Sequence, residues 1–234
     1  MKRINILTLV IIISLSICTP VFAKNESVRN KSDDLITHFK GMEGRLHSDG
    51  SYQLGRNELI LLNRYLDECG EVYNLGDALS YAAPSFYKRL PQNVHNSFKK
   101  QFINVNSNIT LNSNCYHQPS WISGTSVRIA KDGNGLKGVS SINRPTMTGM
   151  PEEYSIYYVI NEIYNSNTNE RVGYSVNASK SSRVSATTLI EPLTGTYHSY
   201  GFFEVPWYCP DCYRWTKMTS STRTSNFYYV NPYQ

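Results

Sequence analysis

The stretch Tyr154-Ser-Ile-Tyr-Tyr-Val-Ile-Asn-Glu-Ile-Tyr-Asn-Ser-Asn-Thr-Asn-Glu-Arg-Val-Gly-Tyr-Ser-Val-Asn-Ala-Ser-Lys180 carries the pattern on which the fold turns. Tyr154, Ile156, Tyr158, Ile160 and Tyr164 alternate with Ser155, Tyr157, Asn161 and Ile163. The even-numbered set is the more apolar, as a half-buried strand requires. After the polar run Asn165 to Glu170, the even positions Val172, Tyr174, Val176 and Ala178 resume the apolar face. Antiparallel partners keep a constant index sum, and only an even sum puts both apolar faces on one side of a sheet. Pairing Tyr164 with Val172 and Ile160 with Val176 meets that condition. It leaves Asn167-Thr168-Asn169 as the loop, with Asn169 in the left-handed conformation that Asn tolerates.

Outward from this hairpin, the second half of the chain reads as strand throughout. Trp121 to Ile129, the glycine run Lys131 to Gly138, Arg183 to Ile190, Tyr197 to Val205, Tyr213 to Met218 and Ser225 to Val230 are short strand or turn patterns with no helical period. The first half is different. A short helix is expected from the cap Ser32 to Gly41, a stronger one from Asn57 to Cys69 with Leu59, Leu62 and Leu66 inward and Gly70 as its stop. A third covers Leu75 to Ala83 before Pro84, and a fourth Asn93 to Ile103 with Val94, Phe98 and Phe102 on one face. Gly41 to Gly55 reads as turn chemistry. The fold class is therefore α+β, with short N-terminal helices followed by an antiparallel β-sandwich, because a parallel sheet would need crossover helices.

Three segments follow: an export signal over 1–23, a helical part over 24–105 and a β-rich part over 106–234, the last two as one compact unit. Lys2 and Arg3 precede an apolar run from Ile6 to Ile17, and Val21-Phe22-Ala23 suits a cleavage site. The run is too short to span a bilayer, so no transmembrane segment is expected in the mature chain. The expected location is secreted or periplasmic. Removing the leader takes away two of 23 basic residues and none of 18 acidic ones, leaving a net charge of +3. So weak an excess implies no nucleic-acid partner.

Four cysteines remain after export: Cys69, Cys115, Cys209 and Cys212. Thiols oxidise in that compartment, so two disulfides are expected, Cys69 with Cys115 and Cys209 with Cys212. Cys209-Pro210-Asp211-Cys212 resembles the active-site Cys-Pro-x-Cys of the thioredoxin and disulfide-oxidase family, over about a dozen residues. That resemblance would imply a redox dithiol followed by a helix, yet Thr216 to Ser225 is Ser/Thr-rich and strand-like. Zinc held by Cys209, Cys212, Cys115 and His117 is a further reading, weaker in an oxidising compartment. We expect neither metal nor cofactor.

The histidines do not converge, and no nucleophile elbow, zinc-protease helix or phosphate-binding loop occurs, so an enzyme is the less favoured class. Aromatics concentrate near the C-terminus. Trp207, Tyr208, Tyr213 and Trp215 flank the expected Cys209 to Cys212 loop as candidate binding residues. The expected function is a secreted, non-enzymatic binding protein that attaches through this face to a cell-surface glycan or protein. A pore-forming, membrane-damaging toxin is the alternative suggested by the Ser/Thr-rich hairpins, and a secreted hydrolase whose site leaves no local motif is the third.

Overall fold

A computed structural model describes residues 44–70, 72–104, 122–144, 149–209 and 213–234. Its strands are β1 (Arg45–Leu46), β2 (Tyr52–Gln53), β3 (Val72–Asn74), β4 (Phe102–Asn104), β5 (Thr125–Asp132), β6 (Gly135–Asn143), β7 (Tyr157–Asn165), β8 (Arg171–Ser179), β9 (Arg183–Ile190), β10 (Gly195–Cys209), β11 (Arg214–Arg223) and β12 (Phe227–Tyr229). Its helices are α1 (Arg56–Cys69), α2 (Leu75–Ala82), α3 (Pro84–Tyr87) and α4 (Gln92–Phe98), with a 3-10 turn at Glu152–Tyr154. The export signal, the helix expected over Ser32 to Gly41, and Trp121 lie outside the described residues.

The hairpin of β7 and β8 has the expected register: Tyr158 pairs with Ala178 and Ile160 with Val176. A bulge after Ile163 then shifts the pairing by one, so Tyr164 meets Arg171 rather than Val172. The loop accordingly becomes Ser166 to Asn169, closed by Asn165 N–H donating to Glu170 O. Asn169 takes the left-handed conformation, φ 57°.

The half-buried strand expected from the alternation is a correction: almost every residue of β7 is buried, on both faces. β7 lies inside a seven-stranded antiparallel sheet of order β1-β2-β8-β7-β10-β11, with β12 also on β10. Its even-numbered face packs Tyr158 and Ile160, with Tyr174, Val176 and Phe202, against Leu59, Leu62 and Leu66 of α1, Leu75 and Leu79 of α2 and Phe98 of α4. Its odd-numbered face packs Tyr157 and Val159, with Phe203 and Val205, against Ile142 of β6 and Val184 and Ala186 of β9. These belong to a second, three-stranded antiparallel sheet, β5-β6-β9. The layers run helices, large sheet, small sheet.

The helices are interleaved with strands. α1 starts one residue before Asn57, because Glu58 turns back to accept the N–H of Gly55 at 2.9 Å and so serves the first turn. Gly70 stops it with φ 76°. Pro84 ends the stretch after α2 and opens α3 as its first residue, where a missing N–H costs nothing. The fourth helix is shorter than expected and stops at Phe98. Phe102 to Asn104 instead pair with Val72 to Asn74, burying Ile103 and exposing Phe102, so strand pairing overrides the helical spacing of Phe98 and Phe102.

Nor is Gly41 to Gly55 only a turn. β1 and β2 form a hairpin that adds to β8 through Tyr52 with Val176 and Gln53 with Ser175. Its side chains close the gap to the edge of the small sheet. Gln53 donates to Leu189 O at 2.8 Å and accepts from Leu189 N at 2.9 Å, Ser51 Oγ accepts from Thr187 N, and Asn177 donates to Ser185 O. Asp49 accepts from the hydroxyls of Ser51, Ser185 and Thr187. Burial raises the pKa of Asp49, but these donors outweigh it and leave the carboxyl below its ordinary value. The two sheets are not closed by backbone pairing; along this seam side chains take its place.

Candidate functional site

Past Glu204, which pairs with Tyr158, β10 continues for five residues with β11 as its partner strand. Pro206, which has no N–H to give, falls just beyond the last β7 pair, where no ladder bond is asked of it. Val205 to Cys209 and Arg214 to Met218 thus form a two-stranded ribbon. Partners in it sum to an odd number, as in Tyr208 with Trp215, so even residues of β10 share a face with odd residues of β11.

That rule separates the four candidate aromatics. Tyr208 and Trp215 face the helix side together, ring centroids 5.5 Å apart and inclined at 61°, a stabilising edge-to-face geometry. Tyr208 is 37% exposed. Trp207 points the other way, half-buried against the core formed by Val205, Phe203 and Met218. Tyr213 stands at the ribbon's end, 82% exposed and with φ 51°, a conformation that a bulky side chain rarely adopts.

Below Tyr208 and Trp215 on the same face lies a buried ion pair. Lys217 Nζ is 2.7 Å from Glu204 Oε1, with side-chain exposures of 20% and 1%. The ammonium also sits 4.6 Å from the centre of the Tyr158 ring and 3.4 Å from Ser97 Oγ of α4. Burial pushes the Glu204 carboxyl above its usual range, opposed by Lys217 and by a hydrogen bond from Gln101. Burial, then the Glu204 charge, does the same to the Tyr158 hydroxyl, which has no hydrogen-bond partner among the described residues.

A second charged pair lies on this face of the sheet. Arg171 Nε is 2.9 Å from Glu162 Oε1, close enough to pair the charges though out of line for a hydrogen bond. Arg171 donates to Asn63 Oδ1 of α1 at 3.0 Å and to Tyr164 Oη at 2.8 Å, while Tyr164 donates to Glu162. Burial opposes the charge of Arg171, but Glu162 and the surrounding tyrosines outweigh it and hold the guanidinium more firmly protonated. Burial keeps Tyr73 and Tyr174 beside it neutral. This network fastens α1 to the sheet.

His198 is buried, stacked on Tyr164, with Nδ1 2.9 Å from Ser166 Oγ. Ser166 Oγ also lies 3.2 Å from Asn226 Oδ1, an oxygen that accepts from Arg223.

Of the expected disulfide residues, Cys69 is a free, partly buried thiol against the helix-side core, which corrects its expected bridge to Cys115. It sits at the last turn of α1, and Cys115 lies outside the described residues. Cys209 is buried and disulfide-bonded. Its expected partner Cys212 is also outside the described residues. Among the described residues no three His, Cys, Asp or Glu side chains converge as a metal site would require, and no helix is long and apolar enough to cross a membrane, which says nothing of strands.

Sequence reasoning passed over Glu204, Lys217, Glu162 and Arg171. One signal was present: Glu162 interrupts the otherwise apolar even-numbered set of β7, and an inward charge requires a partner. No protein-family model matches the chain, and neither does a curated protein or a solved structure.

Proposed function

We propose that this chain is a secreted, non-enzymatic binding protein that attaches to a cell-surface glycan or protein through the aromatic end of its β10–β11 ribbon. The observation that carries the reading is the placement of Tyr208, Tyr213 and Trp215: three aromatic side chains with solvent access on the two-stranded ribbon, two of them already packed against each other. Such rings give rigid contact area at low entropy cost. The same reading takes the chain as exported after cleavage near Ala23, with residues 24–105 and 106–234 as one unit, its helices ahead of a β-sandwich. A bridge from Cys209 to Cys212 stiffens the ribbon's end.

The test is to incubate the mature protein with cells and, separately, with dye-loaded liposomes. Retention on cells without dye release supports the binder; dye release overturns it in favour of a membrane-damaging toxin. Tyr208→Ala with Trp215→Ala is the informative variant, since Trp207→Ala would disturb core packing as well. If that double variant keeps its fold by circular dichroism and its full retention on cells, the aromatic end is not the attachment site.

A further inference from the structure

One end of the small sheet sends a cation toward the gap between the sheets without a counter-charge. Even-numbered residues of β6 face the large sheet, as Ile142 does in the core with Tyr157 and Val184. Past Asn143, which pairs with Arg183, the ladder runs one step further: Arg144 N donates to Ser182 O at 3.0 Å. Arg144 is therefore the next inward position after Ile142. Its stem lies against Gly124, where a Cβ would come within 3.1 Å of Arg144 Cγ. The side chain is half-buried. Burial lowers its pKa, and the group its charge acts on is the Tyr157 hydroxyl, which burial pushes up and Arg144 pulls down. Among the described residues no carboxylate pairs with Arg144, whereas Arg171 and Lys217, on the opposite face of the large sheet, each have one.

We infer that Arg144, with the Tyr157 hydroxyl near it, forms an anion site at this end of the gap between the sheets, and that its ligand is a carboxylate. The planar guanidinium donates two parallel hydrogen bonds to the two oxygens of a carboxylate, and its one charge balances the ligand's one charge. Phosphate or sulfate fits less well. Lys180 is held by Glu152, and Arg183 stands on the outer face of β9, so the second charge of a dianion goes unbalanced. The apolar core of Ile142 and Val184 keeps water from one side of the guanidinium, which strengthens the pairing. The site shares no residue with the aromatic end of the ribbon and is independent of the attachment reading.

The experiment measures thermal midpoints of the full mature chain and its variants in sodium chloride and in sodium acetate of equal ionic strength. Glucuronate and N-acetylglycine carry the same carboxylate on a sugar and on a peptide end. At about ten times the dissociation constant, the expected rise over chloride is about 3–5 °C. Arg144→Gln abolishes that rise, and Arg144→Lys, which keeps the charge without the planar fork, retains part of it. In chloride alone, Arg144→Gln is expected to match or exceed the unsubstituted chain, because the cation it removes has no partner to abandon. A midpoint several degrees lower in chloride shows that Arg144 holds the fold through a partner and overturns the site. So does a rise on acetate that Arg144→Gln keeps, or no rise with any of the three carboxylates. Sulfate or phosphate that matches acetate, after the response of Arg144→Gln is subtracted, overturns the carboxylate assignment. A rise with acetate but with neither glucuronate nor N-acetylglycine means an adventitious ion only and overturns the reading of a ligand site.

Discussion

The two faces of the large sheet bury polar groups in different ways. On the helix side two pairs of opposite charge are buried, Glu162 with Arg171 and Glu204 with Lys217, each joined by tyrosine and by a side chain from a helix, alongside the uncharged His198 and Thr219. On the side of the small sheet they are short and neutral. Asn161 donates to Ser140 Oγ at 2.8 Å and to Ser199 Oγ at 2.7 Å, and Ser175 bonds Thr188 at 2.7 Å. Glycine accounts for the contrast. A Cβ on Gly201 would strike Val127 and Ser140 of the small sheet, and one on Gly173 would lie 2.6 Å from Thr188 Cγ2. At these two glycines sheet lies against sheet with no room for a side chain, whereas Tyr157 and Phe203 fill the gap further along. On the helix side Arg171 reaches Asn63 of α1 and Lys217 reaches Ser97 of α4, and such charged groups have to be paired to be buried at all. Adjacent residues of one strand thus meet unlike surroundings.

The largest test of this contrast is Arg171→Met, which leaves Glu162 buried without its counter-charge. We expect a loss of about 3–5 kcal/mol in urea unfolding, most of it recovered when Glu162→Gln is added. A loss under about 1 kcal/mol would mean that the helix side does not depend on charge pairing.

Next in size is Gly201→Val, expected to cost about 2–3 kcal/mol by overpacking the gap between the sheets. A neutral result would show that the sheets can separate without penalty and that glycine does not set their spacing. Asn161→Ala should cost less, about 1–2 kcal/mol, because the hydroxyls it abandons are neutral and can still bond elsewhere: Ser199 reaches Glu162 O at 3.2 Å. A cost equal to that of Arg171→Met would erase the distinction between the faces.

The smallest effect is a slope. Burial, then the charge of Arg223, lowers the pKa of His198 from 6.5 to about 4. The unfolded chain therefore binds more protons than the native one between those values, and stability falls as the pH drops through that window. Glu204, raised by burial, acts in the opposite sense: its contribution is present at low pH and fades as the pH rises through its native pKa. His198→Gln should flatten the acid limb of a urea-midpoint titration by at most about 1.4 kcal/mol per pH unit. An unchanged limb would assign it to carboxylates instead.

Local rules were legible in the chain itself. The register of Tyr158 with Ala178 and Ile160 with Val176 follows from the period-two pattern, the left-handed Asn169 from its side chain, and the Gly70 stop of α1 from glycine's freedom at positive φ. Each depends on residues within a few positions of one another or on one hairpin. The aromatic cluster was visible as well, but not its division, since which of Trp207 and Tyr208 shares a face with Trp215 is set by the register of β10 on β11, and which face is covered by the packing of Trp207 on the inter-sheet core. Only tertiary structure decided that both faces of β7 are covered, that Phe102 to Asn104 leave the helix to pair with β3, and that Gln53 and Asp49 reach more than 130 positions along the chain to seal β9. It also brought Lys217 to Glu204. These outcomes depend on which surfaces meet after the strands have formed, and a side chain's partner across such a contact leaves no period in the sequence that either residue could show.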